Sequence, residues 1–209
     1  MTMSDLPEAQ LAILDAAERL FATHGFARTT IKAIGQEAGV NPALLYYYYS
    51  DKSALYRAVM DRRVEPFARG MMTQLAGEVA PLDAIGIIVR GQVAFLTSAP
   101  MLPRLIAREL ADHGAEHATP VIRENLTGLF ARVTAIIAAG QADGSIRRDL
   151  DPRFAAVSTI SQVVWFFVAQ PLVLELLRQP GGISRAEVGR FAEHVVSFTR
   201  AALSAPPSS

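Results

Sequence analysis

The sequence predicts an all-α protein, with a small three-helix head followed by a larger helical body, about nine helices in all. Three observations carry this. Apolar residues recur at three and four positions along nearly every segment, and no stretch alternates as a strand would. Proline and glycine mark the boundaries between those segments. Past Gly77 the composition changes, with no lysine and no tyrosine and an abundance of Ala, Val, Ile and Leu. At 209 residues, 51% hydrophobic and 19% charged, the chain has room for a sizeable core and is too apolar for wholesale disorder.

Leu6, Ile13, Leu14, Ala17, Leu20 and Phe21 form one stripe on a first helix of about five turns, with Asp5 as cap, Pro7 and Glu8 in its first turn and Gly25 at its end. Thr30 caps a short second helix that turns Ile31, Ile34 and Ala38 inward and stops at Gly39. Asn41 caps a third, with Pro42 at its first position, where a missing N–H costs nothing. Two short helices about a glycine turn are the helix-turn-helix pattern. Asp51 caps a long fourth helix to about Leu75.

In the body, Pro81 opens a helix to about Thr97, and Pro100 and Pro103 frame one ending near Gly114. Thr119-Pro120 starts a helix to about Ala142, and Asp151-Pro152 starts another to about Arg178. Ser184-Arg185-Ala186-Glu187 is a capping box for the last, to about Leu203. The expected division is a head over 1–51, a connecting helix over 52–75, a body over 76–204 and a disordered tail over 205–209.

Bulk chemistry excludes several functions. The chain has no cysteine, hence no disulfide framework, thiol catalysis or cysteine zinc site, which fits a reducing cytoplasm. The N-terminus lacks the basic and apolar pattern of a signal peptide. The most apolar stretch, 157–177, is interrupted by Ser158, Thr159, Ser161, Gln162, Gln170 and Pro171, and reads as a buried or interface helix rather than a membrane span. Net charge is zero, but between Leu20 and Arg63 the bases Arg28, Lys32, Lys52, Arg57, Arg62 and Arg63 outnumber Glu37, Asp51 and Asp61. Steering depends on that local field.

The chemistry concentrates in the head. All five tyrosines and both lysines lie between Lys32 and Tyr56, and Tyr46 to Tyr49 are consecutive. Successive side chains on a helix step by about 100°, so four in a row cannot all be core. At least two must face outward, and phenol hydroxyls with nearby ammonium groups suit a phosphate backbone. The competing reading is a set of half-buried rings bracing a small domain.

The stretch from Gly25 to Leu55, GFARTTIKAIGQEAGVNPALLYYYYSDKSAL, resembles the helix-turn-helix signature of TetR-family transcriptional regulators. It has the Gly-aromatic pair, the paired threonines, an Ile four residues on, Ala-Gly-Val, Leu-Tyr and a lysine before leucine. The resemblance implies that Thr29 and Thr30 contact phosphate, that Asn41 caps the recognition helix and presents its N–H groups, and that Pro42, Ala43 and Leu44 form its tip. It further implies that Leu45 is core and that Tyr46 and Tyr47 meet the backbone, Tyr48 either doing so or packing. Lys52 would bind phosphate, and Lys32 would reach backbone or a groove edge. Departures from the signature are Pro42, Ala43 and Leu44 in place of polar residues or glycine, which leaves thymine-methyl contacts, Tyr47, Lys32 and DNA shape for readout. Tyr49 stands in for a phenylalanine, and its hydroxyl needs a partner if buried.

For the body, the resemblance implies a ligand-binding and dimerising domain. Its last two long helices, carrying Val157, Ile160, Val164, Phe167, Leu174, Phe191, Val195 and Phe198, would pair with a second copy, although some of this stripe must pack within one chain. Candidate pocket residues are Phe67, Met71, Met72, Phe95, Leu105, Leu129, Phe130 and Trp165, with Gln92, Arg108, Glu109 and Asn125 as polar anchors for a small apolar or aromatic effector. His113 and His117 have zinc-compatible spacing, but Gly114 between them reads as a helix end, so no metal is expected. No cofactor is expected, and no nucleophile triad, phosphate loop or dinucleotide fingerprint supports an enzyme. The expectation is a homodimeric, ligand-responsive repressor on a palindromic operator. Its alternatives are an activator or corepressor-dependent regulator of the same fold, and a small-molecule or partner-binding module without DNA affinity.

Overall fold

A computed structural model describes residues 7–179 and 181–206. Asp5 and Leu6, expected at the start of the first helix, and Pro207 to Ser209 of the expected tail lie outside these residues. The described residues form eleven helices: α1 (Glu8–Arg28), α2 (Ile31–Ala38), α3 (Pro42–Tyr48), α4 (Lys52–Gln74), α5 (Pro81–Ser98), α6 (Leu102–His113), α7 (Ala118–Asn125), α8 (Thr127–Asp143), α9 (Pro152–Val168), α10 (Gln170–Leu176) and α11 (Arg185–Leu203). The fold is all-α, with the helix-turn-helix in α1–α3 ahead of a larger helical bundle.

Eleven helices replace nine because two long segments break. Thr119-Pro120 does not open α7. The buried carboxylate of Glu109 accepts the N–H groups of His117 (2.6 Å) and Ala118 (3.0 Å) and starts the helix earlier, while the Thr119 hydroxyl donates back to Ala115 O. Leu126 then separates α7 from α8. The segment begun by Asp151 ends at Ala169, where the chain turns by 85° into α10. Pro171 has no N–H for the carbonyl four residues back, and the ladder of α9 is interrupted there. Elsewhere the expected caps form. Thr30 accepts from Ala33 N, Asn41 from Ala43 N, Asp51 from Ala54 N and Asp151 from Arg153 N, and Ser184 with Glu187 closes a capping box.

The helices cluster into two compact units that do not follow chain order. Residues up to Pro66 form the first with Ala99–Leu126; Phe67–Ser98 form the second with the chain from Thr127 onward. Thus α6 and α7, assigned from sequence to the body, pack with the head. In the first unit Ile13, Phe21, Ile34, Leu45, Leu55, Tyr56 and Leu105 are each at most 1% exposed and make one core, each such side chain being worth about 1.5–3 kcal/mol of burial. Beside it lies an ionic cluster. Arg62 of α4 bonds Glu18 and Asp15 of α1, and Arg63 bonds Glu18 at 2.7 Å, with Arg62 and Glu18 only 6% and 5% exposed. The two arginines counted toward a basic head are therefore neutralised from within.

In the second unit α5, α8, α9 and α11 pack around Ile85, Val89, Ile137, Val163 and Val195. Phe166 stacks on Phe191 with centroids 3.7 Å apart, and Gln162 Nε2 donates to Thr199 Oγ1, tying α9 to α11. Arg90 pairs with Glu193 and Arg200 with Asp83 across α5 and α11. Ala205 N donates to Ser145 O, so the described structure continues into the expected tail. Among the described residues no single helix is long and apolar enough to cross a membrane.

Candidate nucleic-acid interface

The site is assembled by α2 and α3. They approach closely at Gly35, where a Cβ would stand 3.1 Å from Val40 O and 3.2 Å from Pro42 Cγ, so a side chain there would require the turn or Pro42 to give way slightly. Gly39 makes the turn between them at φ 68°, a backbone region that disfavours side chains. Leu45 is then buried, and helical phase throws its neighbours outward. Tyr46 is 61% exposed and Tyr47 80%, whereas Tyr48 is half-buried and meets Tyr47 edge-on at 5.1 Å. Tyr49 turns into the first unit, where its hydroxyl accepts from Gln10 Nε2 at 3.3 Å, and burial pushes its pKa above the usual phenol range. Thr30, Lys32, Asn41 and Ala43 are exposed with the two tyrosines; Pro42 and Leu44 are half-buried. Thr30 uses its oxygen on Ala33 N and keeps its O–H to donate.

Two residues of the expected set have other duties. Thr29 is 2% exposed, and its hydroxyl donates to Gly25 O at 2.7 Å and Leu20 O at 3.2 Å. Lys52 donates to Phe26 O at 2.9 Å and Thr29 O at 3.0 Å, with its ammonium 4.3 Å from the centre of the Phe26 ring. Both fasten the α1–α2 turn. Nothing in the local sequence separates these roles from phosphate contact, because both use the same donors. Two further exposed cations of this unit, Arg28 and Arg57, entered the sequence reading only through the local charge, because the signature singles out neither.

The pocket candidates divide between the two units. In the second, Phe67 stacks on Phe95 with centroids 4.3 Å apart, and Met71 is buried against Gly91. Leu129 is buried, and Gln92 is buried with its amide oxygen lacking a hydrogen-bond partner among the described residues. Phe130 is half-buried and Met72 is 41% exposed. Trp165 is 63% exposed, because the phase of α9 puts it on the same outward face as Phe154 and Val157. The dimer stripe also splits. Val157 and Phe198 are exposed, while Phe167 and Val195 are core.

In the first unit, Leu105 is core and the polar candidates are engaged internally. Arg108 donates to Ala22 O and Thr23 O, Asn125 donates to Asp61 and Val121 O, and Glu109 caps α7. Around Glu109 sit His117 Nδ1 at 3.4 Å and the Tyr56 hydroxyl, whose pKa is driven well above the phenol range by burial and by the Glu109 charge. Among the described residues no three His, Asp or Glu side chains converge as a metal site.

A helix-turn-helix with outward tyrosines on α3 and an exposed threonine and lysine at the start of α2 defines the class, a DNA-binding transcriptional regulator. The chain belongs to the TetR family. Residues 13–59 match the family described as bacterial regulatory proteins, tetR family, and residues 81–198 match the tetracyclin repressor-like C-terminal domain. It is 30% identical to the HTH-type transcriptional regulator RutR of Escherichia coli K12 over 68% of this chain and 66% of that relative, just under two thirds of its length. It is 33% identical to the HTH-type transcriptional repressor SCO4008 of Streptomyces coelicolor over 67% of this chain and 69% of the relative. The fold also matches the regulator FadR of Bacillus subtilis, solved with stearoyl-CoA, with TM-score 0.74 and 18% identity over 92% of this chain and 98% of that one. The family consists of non-catalytic DNA-binding regulators.

Proposed function

We propose that the protein is a ligand-responsive repressor that binds a palindromic operator as a homodimer. The observation that carries this reading is the pair of tyrosines left exposed at 61% and 80% on α3, beside exposed Thr30 and Lys32. Large rings in water need a partner, and phenols meet phosphate and sugar well. Thr30, Lys32, Asn41, Tyr46 and Tyr47 contact the duplex, Ala43 and Leu44 offer apolar contact to thymine methyls, and Tyr48 braces Tyr47. Thr29 and Lys52 act mainly by holding the turn that presents them.

The second copy docks through the outward face of α9 and α11. Phe154, Val157, Trp165 and Phe198 are all at least half exposed there, and apolar side chains gathered on one helical bundle are a poor surface for water. Two heads then span half-sites about 34–36 Å apart or a multiple of that. The effector is small and apolar or aromatic, held in the second unit near Phe67, Met71, Gln92 and Phe95. The acyl-CoA carried by the FadR neighbour supplies a second ligand class to test.

Selection of genomic fragments by the purified protein, followed by release assays with aromatic acids, neutral aromatics and acyl-CoAs, tests the reading. Enrichment of a palindromic sequence from which one class releases the protein is the expected result. An effector that tightens binding would make the protein corepressor-dependent. Failure to enrich any sequence would support a binding module that has lost DNA affinity.

A further inference from the structure

The turn that feeds the recognition elements is gripped from a distant part of the chain. Gly25 interrupts α1 at φ 80°, ψ 170°, so the carbonyls just before it lose the N–H groups that a continuous helix would supply. Two of these, Ala22 O and Thr23 O, accept from the guanidinium of Arg108 on α6, through Nε at 3.1 Å and Nη2 at 2.7 Å. A planar fork over two successive carbonyls at the negative end of a helix is a task for arginine rather than lysine. Gly25 also makes room for it. A Cβ there would stand 3.2 Å from Arg108 Nη1 and 3.5 Å from Asp112 Oδ2. Just beyond the break, Phe26 O and Thr29 O are held by Lys52, and Gly25 O by the Thr29 hydroxyl. The remaining groups against this turn are Tyr56, His113 and His117, which ring Phe26 at 4.6–5.4 Å between centroids.

We infer that Arg108 is a positioning residue for operator binding. It fixes the direction in which the chain leaves α1 for α2, and so the angle at which α2 and α3 meet DNA, without touching DNA itself. The residues 99–126 thereby belong to the DNA-reading machinery. This rests on the regulator reading above, and it predicts a signature that neither a phosphate contact nor a purely structural residue shares.

The test uses the full chain, the duplex that the wild-type protein enriches from a random library, and a scrambled duplex of equal length, each over a salt series and well below the melting temperature. Arg108→Ala is expected to weaken the selected duplex at least tenfold and to leave scrambled-duplex affinity and its salt slope unchanged. Loss on both duplexes, with a slope smaller by about 1, would mean that Arg108 binds phosphate and would overturn the inference. A lower melting temperature with unchanged operator affinity would reduce it to a stabilising residue and also overturn it. If Arg108→Ala does not fold, Arg108→Gln, which can still donate to one carbonyl, carries the same three outcomes. Gly25→Ala crowds the guanidinium and should shift affinity in the same direction. A wild-type protein that enriches no sequence would sink the regulator reading and this inference with it; enrichment with an unaffected Arg108→Ala would sink this inference alone.

Discussion

The two units both expose aromatic side chains, and the two surfaces differ in their chemistry. On α3 the exposed rings are phenols, Tyr46 and Tyr47, next to a lysine and a threonine. On α9 they are Phe154 and Trp165, with Val157 between them and Phe198 on α11. A phenol keeps a hydroxyl that both donates and accepts on a wet, charged surface; a phenyl ring offers only area to exclude from water, and the indole of Trp165 adds a single N–H donor to mostly apolar area. The first face suits a nucleic-acid backbone and the second another protein surface. Their supports differ too. The first unit is braced by buried or half-buried charge, in the Glu18–Arg62–Arg63 cluster and in the Lys52 and Arg108 clamps. The second is held mostly by hydrocarbon, with its ion pairs at the surface and one half-buried guanidinium, Arg132, on the carbonyl of Leu75. A reader of DNA must hold a turn at a fixed angle, and directional bonds do that better than non-directional packing.

The largest expected effect comes from spoiling the apolar face. Trp165→Glu should leave a folded chain that sediments as a monomer and loses at least a hundredfold in operator affinity; a dimer that still binds would remove α9 from the interface. Next is the ionic brace. Glu18→Ala leaves the buried guanidinium of Arg62 with only the exposed Asp15 as carboxylate partner, and the loss should approach the about 3–5 kcal/mol of breaking a buried pair, to be read from the urea midpoint. A loss below about 1 kcal/mol, the scale of a surface pair, would show that water already reaches the cluster.

The two lysines sharpen the comparison inside the head. Lys32 is exposed, so Lys32→Ala should lower the salt slope of DNA binding by about 1 with little change in stability. Lys52 is tied to two carbonyls, so Lys52→Met should lower stability and keep the slope. Reversed results would return Lys52 to the phosphate-binding set. The smallest effect is at the cap of α9. The Asp151 carboxyl is held down to about 2, first by its bond with Arg153 and then by backbone N–H groups. A depressed acid stabilises the fold above its unfolded pKa of about 3.9 and loses that contribution as pH falls toward about 2. Asp151→Asn should therefore flatten the acid limb of a melting-temperature profile between about pH 4 and 2 and change little near neutrality; an unchanged limb would mean that the cap does not titrate with folding.

The sequence was most legible where structure is local. Thr30, Asn41, Asp51, Asp151 and Ser184 cap the helices they precede, because a cap needs only a side chain and an N–H two or three residues away. Helical phase required at least two of the four consecutive tyrosines to face outward, and the family resemblance pointed to Tyr46 and Tyr47. What could not be read depends on partners far along the chain. Glu109 starts α7 in place of Thr119, and Arg108 reaches back 86 residues to Ala22. Trp165 shows a second limit. Its spacing from Phe154 and Val157 was visible, but periodicity finds an apolar face without saying whether a core, a ligand or another chain covers it.

Native mass spectrometry of the full chain with the duplex it selects tests the central claim most directly, because it reads both surfaces at once. The account predicts two chains on one duplex for the wild type, and for Tyr46→Phe combined with Tyr47→Phe a free dimer that has lost most of its duplex. A single chain on the duplex, or a doubly substituted protein that holds DNA as the wild type does, would contradict the assignment of the phenol face to DNA and the phenyl face to a second copy.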